Sequence, residues 1–371
     1  MHIGIILHGP EIIDAGSAKK IIDIFRQENE VTAKLGGTMG RTAVLDAGLE
    51  DIIDISQGLT PSETILALNG SIDIAILLNH GKTLETGRYF GRFVASKLKS
   101  SSIPFVHIER PDCEGRIIYY SQQAKKCAEY VRKTLTKYGE NYSLPVEKDS
   151  PLPPYIRTEG RTLIRRISGA FPGENIRLDG IVVGTVTHPE PEIVCQNGKV
   201  VKLLGVDIKQ HGLEKLENRN IDLFKARVKT GNIRRTKHKS RIKTVPGSTS
   251  LKTVAIIDHC AESTFELIKD AGLVITVGDD TTTITADILV RLGIPIIGIV
   301  DGDPDHILED PLVPKGSVII RVREGFDDIL GREVFEKLMG GKQKIYRQRS
   351  DELFDRILAL AGKKVVNIKY Y

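Results

Sequence analysis

Along the first 140 residues, short and nearly unbroken apolar runs alternate with longer stretches whose apolar residues recur at helical spacing. The runs are HIGIILHG (2–9), EVTAKLGG (30–37), DIAILLNHG (73–81) and IPFVHIE (103–109). Strands that are apolar on both faces are covered on both faces, which is the pattern of a parallel sheet held between helices. SAKKIIDIFRQEN, RTAVLDAGLEDII and GRYFGRFVASKLKSS supply helices between the runs, and YYSQQAKKCAEYVRKTLTKYG predicts another over about 119–138. The alternation predicts a doubly wound, Rossmann-like α/β domain over residues 1–140.

The texture then changes. NYSLPVEKDSPLPPYIR is rich in proline and polar residues and reads as a linker. Residues 155–228 carry short strand patterns with Gln-Asn-Gly-Lys at 196–199, and Asn-Gly between alternating apolar residues signals a hairpin. This predicts a small β-rich module, followed by a basic linker over 229–250. Alternation resumes with strands at 253–258, 273–278, 295–301 and 317–322, helices over 261–271 and 283–292, then two more helices and a short last strand, KVVNI. The expected fold class is therefore α/β: two doubly wound, mostly parallel-sheet domains, 1–140 and 251–371, with a β-rich middle module. No repeat in the sequence relates the two domains.

Composition refines this picture in two places. With 371 residues, 40% hydrophobic and 27% charged, the chain is long enough for two or three cores. The net charge of +5 is mild, but residues 225–250 hold nine Lys and Arg and no acid. Four cysteines without a C-x-x-C pair give no disulfide framework or structural zinc pattern and suit reduced thiols. The N-terminal apolar run lacks a basic leader and reads as a first strand; no apolar segment nears the roughly 18 residues a membrane span needs. A cytoplasmic protein is expected.

Candidate chemistry gathers at the predicted strand ends, where open parallel sheets bind ligands. In the last domain Asp258 precedes His259, Gly278 precedes Asp279 and Asp280, and Asp301 is followed by Asp303 and Asp305. Crowded carboxylates repel unless donors or a cation offset them, and a hard oxygen-ligand set suits Mg2+ with substrate phosphate. Asp301, Asp303 and Asp305 are the candidate metal ligands; Asp-Gly-Asp-Pro-Asp is also good turn chemistry. Gly278, Asp280, Thr281 and Thr282 could meet phosphate at a helix start, or simply cap the helix.

The order of acid, Gly-containing turn and D-x-D, with TVGDDTTTITADILVRLGIPIIGIVDGDPD as its closest part, resembles the Toprim domain of topoisomerases, primases and related nucleases over about 80 residues, 251–330. The resemblance implies Asp301 and Asp303 as metal ligands and Asp258 or Glu262 at the general-base position. Toprim domains carry Glu after the first strand; here Asp258 stands there, with Glu262 a helical turn later. Taken whole, the chain resembles an uncharacterised conserved protein family of methanogenic archaea, which implies a cytoplasmic archaeal protein and no particular reaction.

The N-terminal domain offers a second set. Gly37, Thr38, Gly40, Arg41 and Thr42 in LGGTMGRTA suit an anion at a strand-to-helix turn, though the glycines lack the G-x-G-x-x-G register and a tight turn explains them equally. Lys82 and Thr83 of a Gly-Lys-Thr are further anion-binding candidates that, following a buried strand, could meet the Arg41 loop at one rim, although Ile76 occupies the position where a P-loop needs glycine. His8, Glu11, His80, His107, Glu109 and Asp112 fall near strand ends as an acid–base or divalent-ion set. Cys113, flanked by Asp112 and Glu114, does not suit a nucleophilic thiolate.

Arg234, Arg235, Lys237, Lys239 and Arg241 are candidate polyanion contacts, with a solvated linker as the alternative. Phe224 is the only aromatic nearby, too little for a base-stacking platform. Together these features lead to an Mg2+-dependent enzyme acting on a phosphate-containing substrate, nucleotide or nucleic acid. The alternatives are a noncatalytic nucleotide or small-anion binding protein that closes two α/β domains on its ligand, and a subunit whose basic segment docks a partner. Nothing in the sequence fixes the oligomeric state.

Overall fold

Strand β1 (His2–His8) buries Ile3, Ile5, Ile6 and Leu7 completely, because both of its faces are covered. The computed structural model describes residues 1–99, 101–139, 142–150, 155–217, 219–232, 234–242, 253–302, 312–346 and 350–371, except the side chains of Glu262, Ser350 and Asp351. β1 pairs in parallel with β2 (Glu30–Leu35) and β3 (Ile74–Asn79), and β3 with β4 (Phe105–Glu109). β5 (Arg116–Tyr119), antiparallel to β4, and β6 (Val146–Lys148) complete the order β2-β1-β3-β4-β5-β6. The connecting helices are α1 (Glu11–Asp14), α2 (Ser17–Arg26), α3 (Arg41–Ala47), α4 (Pro61–Ala67), α5 (Leu84–Lys97) and α6 (Lys125–Tyr138). Residues of α2, α3 and α6 share a core with Ile3, Ile5 and Leu7. On the other face, Ile65 of α4 and Val94 of α5 pack with Ile6, Ala75 and Leu77.

Two local features depart from the sequence expectation. The helix predicted over 119–138 begins only at Lys125, because Ile117, Ile118 and Tyr119 extend the sheet beside β4. The stretch expected to be a linker contains β6, whose pairing with β5 outweighs its poor strand composition. Residues 151–154 of that stretch lie outside the described residues.

The middle of the chain forms two four-stranded sheets. β7 (Ile156–Glu159), β8 (Thr162–Arg166), β9 (Asn175–Leu178), β10 (Ile181–Val186), β11 (Glu192–Gln196), β12 (Lys199–Leu204), β13 (Val206–Ile208), a short α7 (Gln210–Glu214) and β14 (Val228–Thr230) give orders β12-β11-β8-β7 and β13-β10-β9-β14. Ile176, Val183, Ile193 and Cys195 fill the core they share. The Asn-Gly hairpin closes with both turn residues at positive φ, Asn197 at 50° and Gly198 at 75°.

This module and the first sheet lie in one unit, Met1–Lys237. Arg234 reaches back to the first helices, its Nε 2.7 Å from Asp14 Oδ2 and its Nη1 2.6 Å from Asp46 Oδ2. The three side chains are 5%, 7% and 4% exposed. Arg235 donates to Glu11 Oε1 at 2.8 Å. Two of the five candidate polyanion contacts are therefore turned onto carboxylates of their own unit, while Lys237, Lys239 and Arg241 are exposed. Lys243 lies outside the described residues.

The second unit, His238–Tyr371, repeats the parallel theme. β15 (Thr253–Asp258), α8 (Thr264–Leu267), β16 (Ala271–Val277), α9 (Asp279–Leu289), β17 (Ile296–Val300), β18 (Val318–Val322), α10 (Asp327–Glu333), β19 (Lys344–Tyr346), α11 (Ser350–Ala361) and β20 (Val365–Tyr370) follow in sequence. The sheet order is β19-β15-β16-β17-β18-β20; the inner four strands are parallel and the two edges antiparallel. Residues of α10 and α11 cover one face and those of α8 and α9 the other. The protein is thus mixed α/β, and both six-stranded sheets contain parallel strands. Among the described residues, no helix is long and apolar enough to cross a membrane.

The Arg234 contact makes a stability prediction. Removing one partner of a buried pair leaves uncompensated charge, so Arg234→Ala should lower stability by about 3–5 kcal/mol. Urea unfolding of the variant against wild type, followed by circular dichroism, measures this.

Candidate functional site

Parallel pairing brings the ends of β15 to β18 to one rim of the second sheet. β16 passes through Gly278, at φ 93°, directly into α9, so Asp279 opens the helix. A Cβ at position 278 would sit 3.2 Å from His259 Nε2 in a backbone conformation that already favours glycine. Asp301 follows β17, and Asp327 opens α10 after β18. Carboxylate oxygens of Asp279, Asp301 and Asp327 lie within 4.8 Å of one another.

Backbone donors fix all three. Asp279 Oδ2 accepts from the N–H groups of Asp301 at 3.1 Å and Gly302 at 2.9 Å. Asp301 Oδ2 accepts from Gly325 N–H at 2.8 Å, and Asp327 Oδ1 from Asp328 N–H at 2.9 Å. Even so, burial pushes the pKa values of Asp279 and Asp327 up, and the nearby charge of Asp301 adds to both. Three fixed oxygens with unrelieved charge are a donor set that fits Mg2+, which takes carboxylates and keeps waters for substrate oxygens. Beside them, His259 Nδ1 is bonded to Asp258, and Nε2 lies 3.3 Å from Asp328 Oδ1. The Asp258 bond holds the imidazole pKa above its ordinary value.

Of the residues expected here from sequence, Asp301 joins the cluster and Asp258 instead pairs with His259. Asp280 sits in the first turn of α9 and is not among the three. α9 begins four residues before the expected start at 283, which places Thr281 and Thr282 inside the helix and buries both. Thr282 Oγ1 is 2.8 Å from Thr276 Oγ1, beneath the helix rather than at its mouth. Asp303, Asp305 and the Glu262 side chain lie outside the described residues. Sequence pattern gives Asp279 only as a strand-end acid and does not reach Asp327, whose one signal is an acidic pair opening a helical pattern, Phe-Asp-Asp-Ile-Leu.

In the first unit the expected anion loop is largely committed elsewhere. The N–H groups of Gly36 and Gly37 donate to Leu7 O at 2.8 Å and Leu59 O at 2.7 Å. Arg41 is 1% exposed, inside the fold. Gly40 approaches the backbone closely, since a Cβ there would be 3.0 Å from Gly9 O, and Thr42 continues α3. Lys82 Nζ reaches both Glu174 oxygens, at 2.7 and 2.6 Å, and Thr230 Oγ1 at 2.6 Å. Burial lowers the Lys82 pKa despite that pairing. Thr83 caps α5 in a reciprocal capping box with Thr86. Thr38 stands in the turn before α3.

Three of the six strand-end residues, His8, His107 and Glu109, come together in a buried polar chain. His8 Nδ1 is 2.9 Å from Asn79 Oδ1, and Asn79 Nδ2 donates to Glu109 Oε2 at 2.7 Å. Glu109 Oε1 accepts from Gly81 N–H at 2.6 Å, and its Oε2 lies 2.9 Å from His107 Nε2. His107 Nδ1 in turn meets Tyr120 OH at 3.0 Å. His107 and Glu109 are 0% exposed. α5 lies directly on them: a Cβ at Gly87 would fall 2.0 Å from the Glu109 carboxyl carbon, and one at Gly91 2.2 Å from His107 Nδ1. Asn79 and Tyr120 carry no sequence signal of this kind. His80, Asp112 and Cys113 form a separate trio with ligand atoms within 4.8 Å; burial and Asp112 push the Cys113 thiol up, so it is not an activated nucleophile.

Comparison with known proteins adds a family. The model described as "Uncharacterized protein conserved in archaea (DUF2117)" matches residues 5–342. The chain belongs to this family. "Uncharacterized protein MJ0065" of Methanocaldococcus jannaschii is 43% identical over 358 residues, covering 95% of this chain and 96% of its own. No solved structure matches. The family match spans both rims described above.

The acid cluster predicts a pH effect. Asp279, Asp327 and His259 bind protons more tightly folded than unfolded, so their contribution favours the fold at low pH. It is lost as pH rises, first through the carboxylate values and then through that of His259. In EDTA at pH 8, Asp279→Asn, which keeps an acceptor for the same two N–H groups, should melt above wild type. Relief of about 1 kcal/mol corresponds to roughly 2–4 °C in a thermal scan, and the gap should close towards pH 4.

Proposed function

We propose that the protein is a divalent-cation-dependent enzyme acting on a phosphate-bearing substrate, a nucleotide or nucleic acid, at the acidic rim of its second unit. The observation that carries this reading is the convergence of Asp279, Asp301 and Asp327 from three neighbouring strand ends to within 4.8 Å. In the same reading both units are doubly wound and Rossmann-like, and the second is Toprim-like with an altered ligand set. Asp279 and Asp327 join Asp301 as the proposed ligands, while Asp303 and Asp305 lie outside the described residues.

Mg2+ bound there would polarise a phosphoryl oxygen and align an attacking water. The chain's own contribution is positional. Amides of Asp301, Gly302, Gly325 and Asp328 hold the three carboxylates before any ligand arrives, so little reorganisation is needed. His259, bridged between Asp258 and Asp328, is the group beside the rim able to pass a proton. Exposed Lys239 and Arg241 of the same unit suit a polyanionic substrate, whereas Arg234 is buried against Asp14 and Asp46 of the first unit. The small-anion reading is less well supported, because the Gly36 and Gly37 amides it needs already donate within the fold. A cytoplasmic location belongs to the same proposal.

Mg2+ at about 100-fold over its Kd should stabilise wild type by about 2.7 kcal/mol. Asp301→Asn should lose most of that gain, and Asp303→Asn tests whether the acid two residues on also binds the ion. A thermal-shift titration with MgCl2 and EDTA decides the matter: an Asp301→Asn response equal to wild type would remove the site.

A further inference from the structure

The strand order of the first sheet reverses at β1. β2 lies on one side of it and β3 on the other, and the chain leaves β1 and β3 towards opposite faces. Above such a reversal the departing connections part, and open α/β sheets bind ligands in the crevice they leave. The terminal residues of those two strands, His8 and Asn79, are register partners. Their hydrogen bond therefore spans the reversal itself.

The direction of that bond follows from its far end. Burial works to raise the Glu109 pKa, but donation from His107, Asn79 and Gly81 N–H wins and holds it below the ordinary value. An ionised carboxylate only accepts, so the Asn79 amide must turn its NH2 to Glu109 and its oxygen to His8. His8 Nδ1 must then carry the proton. Burial keeps the His8 pKa below ordinary, which leaves the ring neutral and Nε2 with a lone pair. Among the described residues Nε2 has no hydrogen-bond partner, and it is not one of the buried atoms sealed from solvent.

The ring is also immobilised. It stacks on Phe90 of α5 with centroids 3.9 Å apart and an interplanar angle of 20°. Gly37 stands on the Cδ2 side: a Cβ built on it would meet, outside its chain neighbours, a single atom within 4 Å, His8 Cδ2 at 3.9 Å. The charged groups acting on His8 are Glu11 of α1, Glu109 of β4 and Lys229 of β14. A neutral imidazole with one nitrogen tied down and the other unpartnered and open to solvent is arranged as a proton acceptor.

We propose that His8 is a catalytic general base of a second site, separate from the acidic rim, that takes a proton from the O–H group of a ligand or water held above the β1–β3 reversal. The O–H bond breaks, the proton forms Nε2–H, and the electron pair stays on the oxygen as the nucleophile. The resulting imidazolium keeps its Nδ1–H bond to Asn79, with the Glu109 carboxylate one hydrogen bond beyond. Asn79 and Glu109 are positioning residues: they set the tautomer and touch no reacting atom.

Long-range 1H–15N spectra of the full chain, with His8 assigned through His8→Gln, read the tautomer directly. The expected result is protonated Nδ1 and unprotonated Nε2 at pH 7, retained in Tyr120→Phe and lost in Asn79→Ala. p-Nitrophenyl acetate serves as the probe of reactivity, with water as the O–H group. Its hydrolysis should follow the deprotonation of His8, slow in D2O, and disappear in His8→Gln. A wild-type Nε2–H tautomer, or hydrolysis indifferent to His8→Gln, overturns the proposal. If Asn79→Ala does not fold, the wild-type spectrum and the His8→Gln rate still decide it.

Discussion

Parallel pairing is the constraint from which both candidate sites follow. A strand buried on both faces has little room for charged side chains along its length, so most of them collect where the strand stops. Parallel neighbours all stop on the same rim. In the first sheet this gathers His8, Asn79 and Glu109; in the second it gathers Asp279, Asp301 and the Asp327 that follows β18. The edge strands β19 and β20 run antiparallel and supply none of the three clustered carboxylates.

The two rims answer the same problem of buried charge in different ways. In the first unit a single carboxylate, Glu109, is surrounded by donors and its pKa falls. In the second, three carboxylates face one another, and the backbone donors they receive do not offset their charge. One arrangement is complete within the protein, while the other has charge left to neutralise. Acid–base chemistry suits the first and cation binding the second.

Much of the frame was legible in the sequence, because continuous Ile and Val runs report burial on both faces without any long-range information. β1, β3, β4, β15 and β17 all lie within the quoted runs, and Asp301 could be placed because it follows one of them. The rest depended on contacts between residues far apart. Asp279, rather than Asp280, joins the cluster because α9 starts immediately after Gly278, a boundary that local pattern placed four residues late. Arg234 looked like part of a solvated basic run because its partners, Asp14 and Asp46, lie about two hundred residues earlier in the chain. The Asn79 and Tyr120 side chains become informative only once the polar chain linking three strands is visible.

Gly87 and Gly91 seat α5 on polar atoms with nothing thicker than hydrogen between helix and carboxylate. Water has no layer to occupy there, so Glu109 cannot be rehydrated while the helix remains down. Lifting α5 and wetting that anion are consequently one event, and the same movement would carry away Phe90, the plate on which the His8 ring rests.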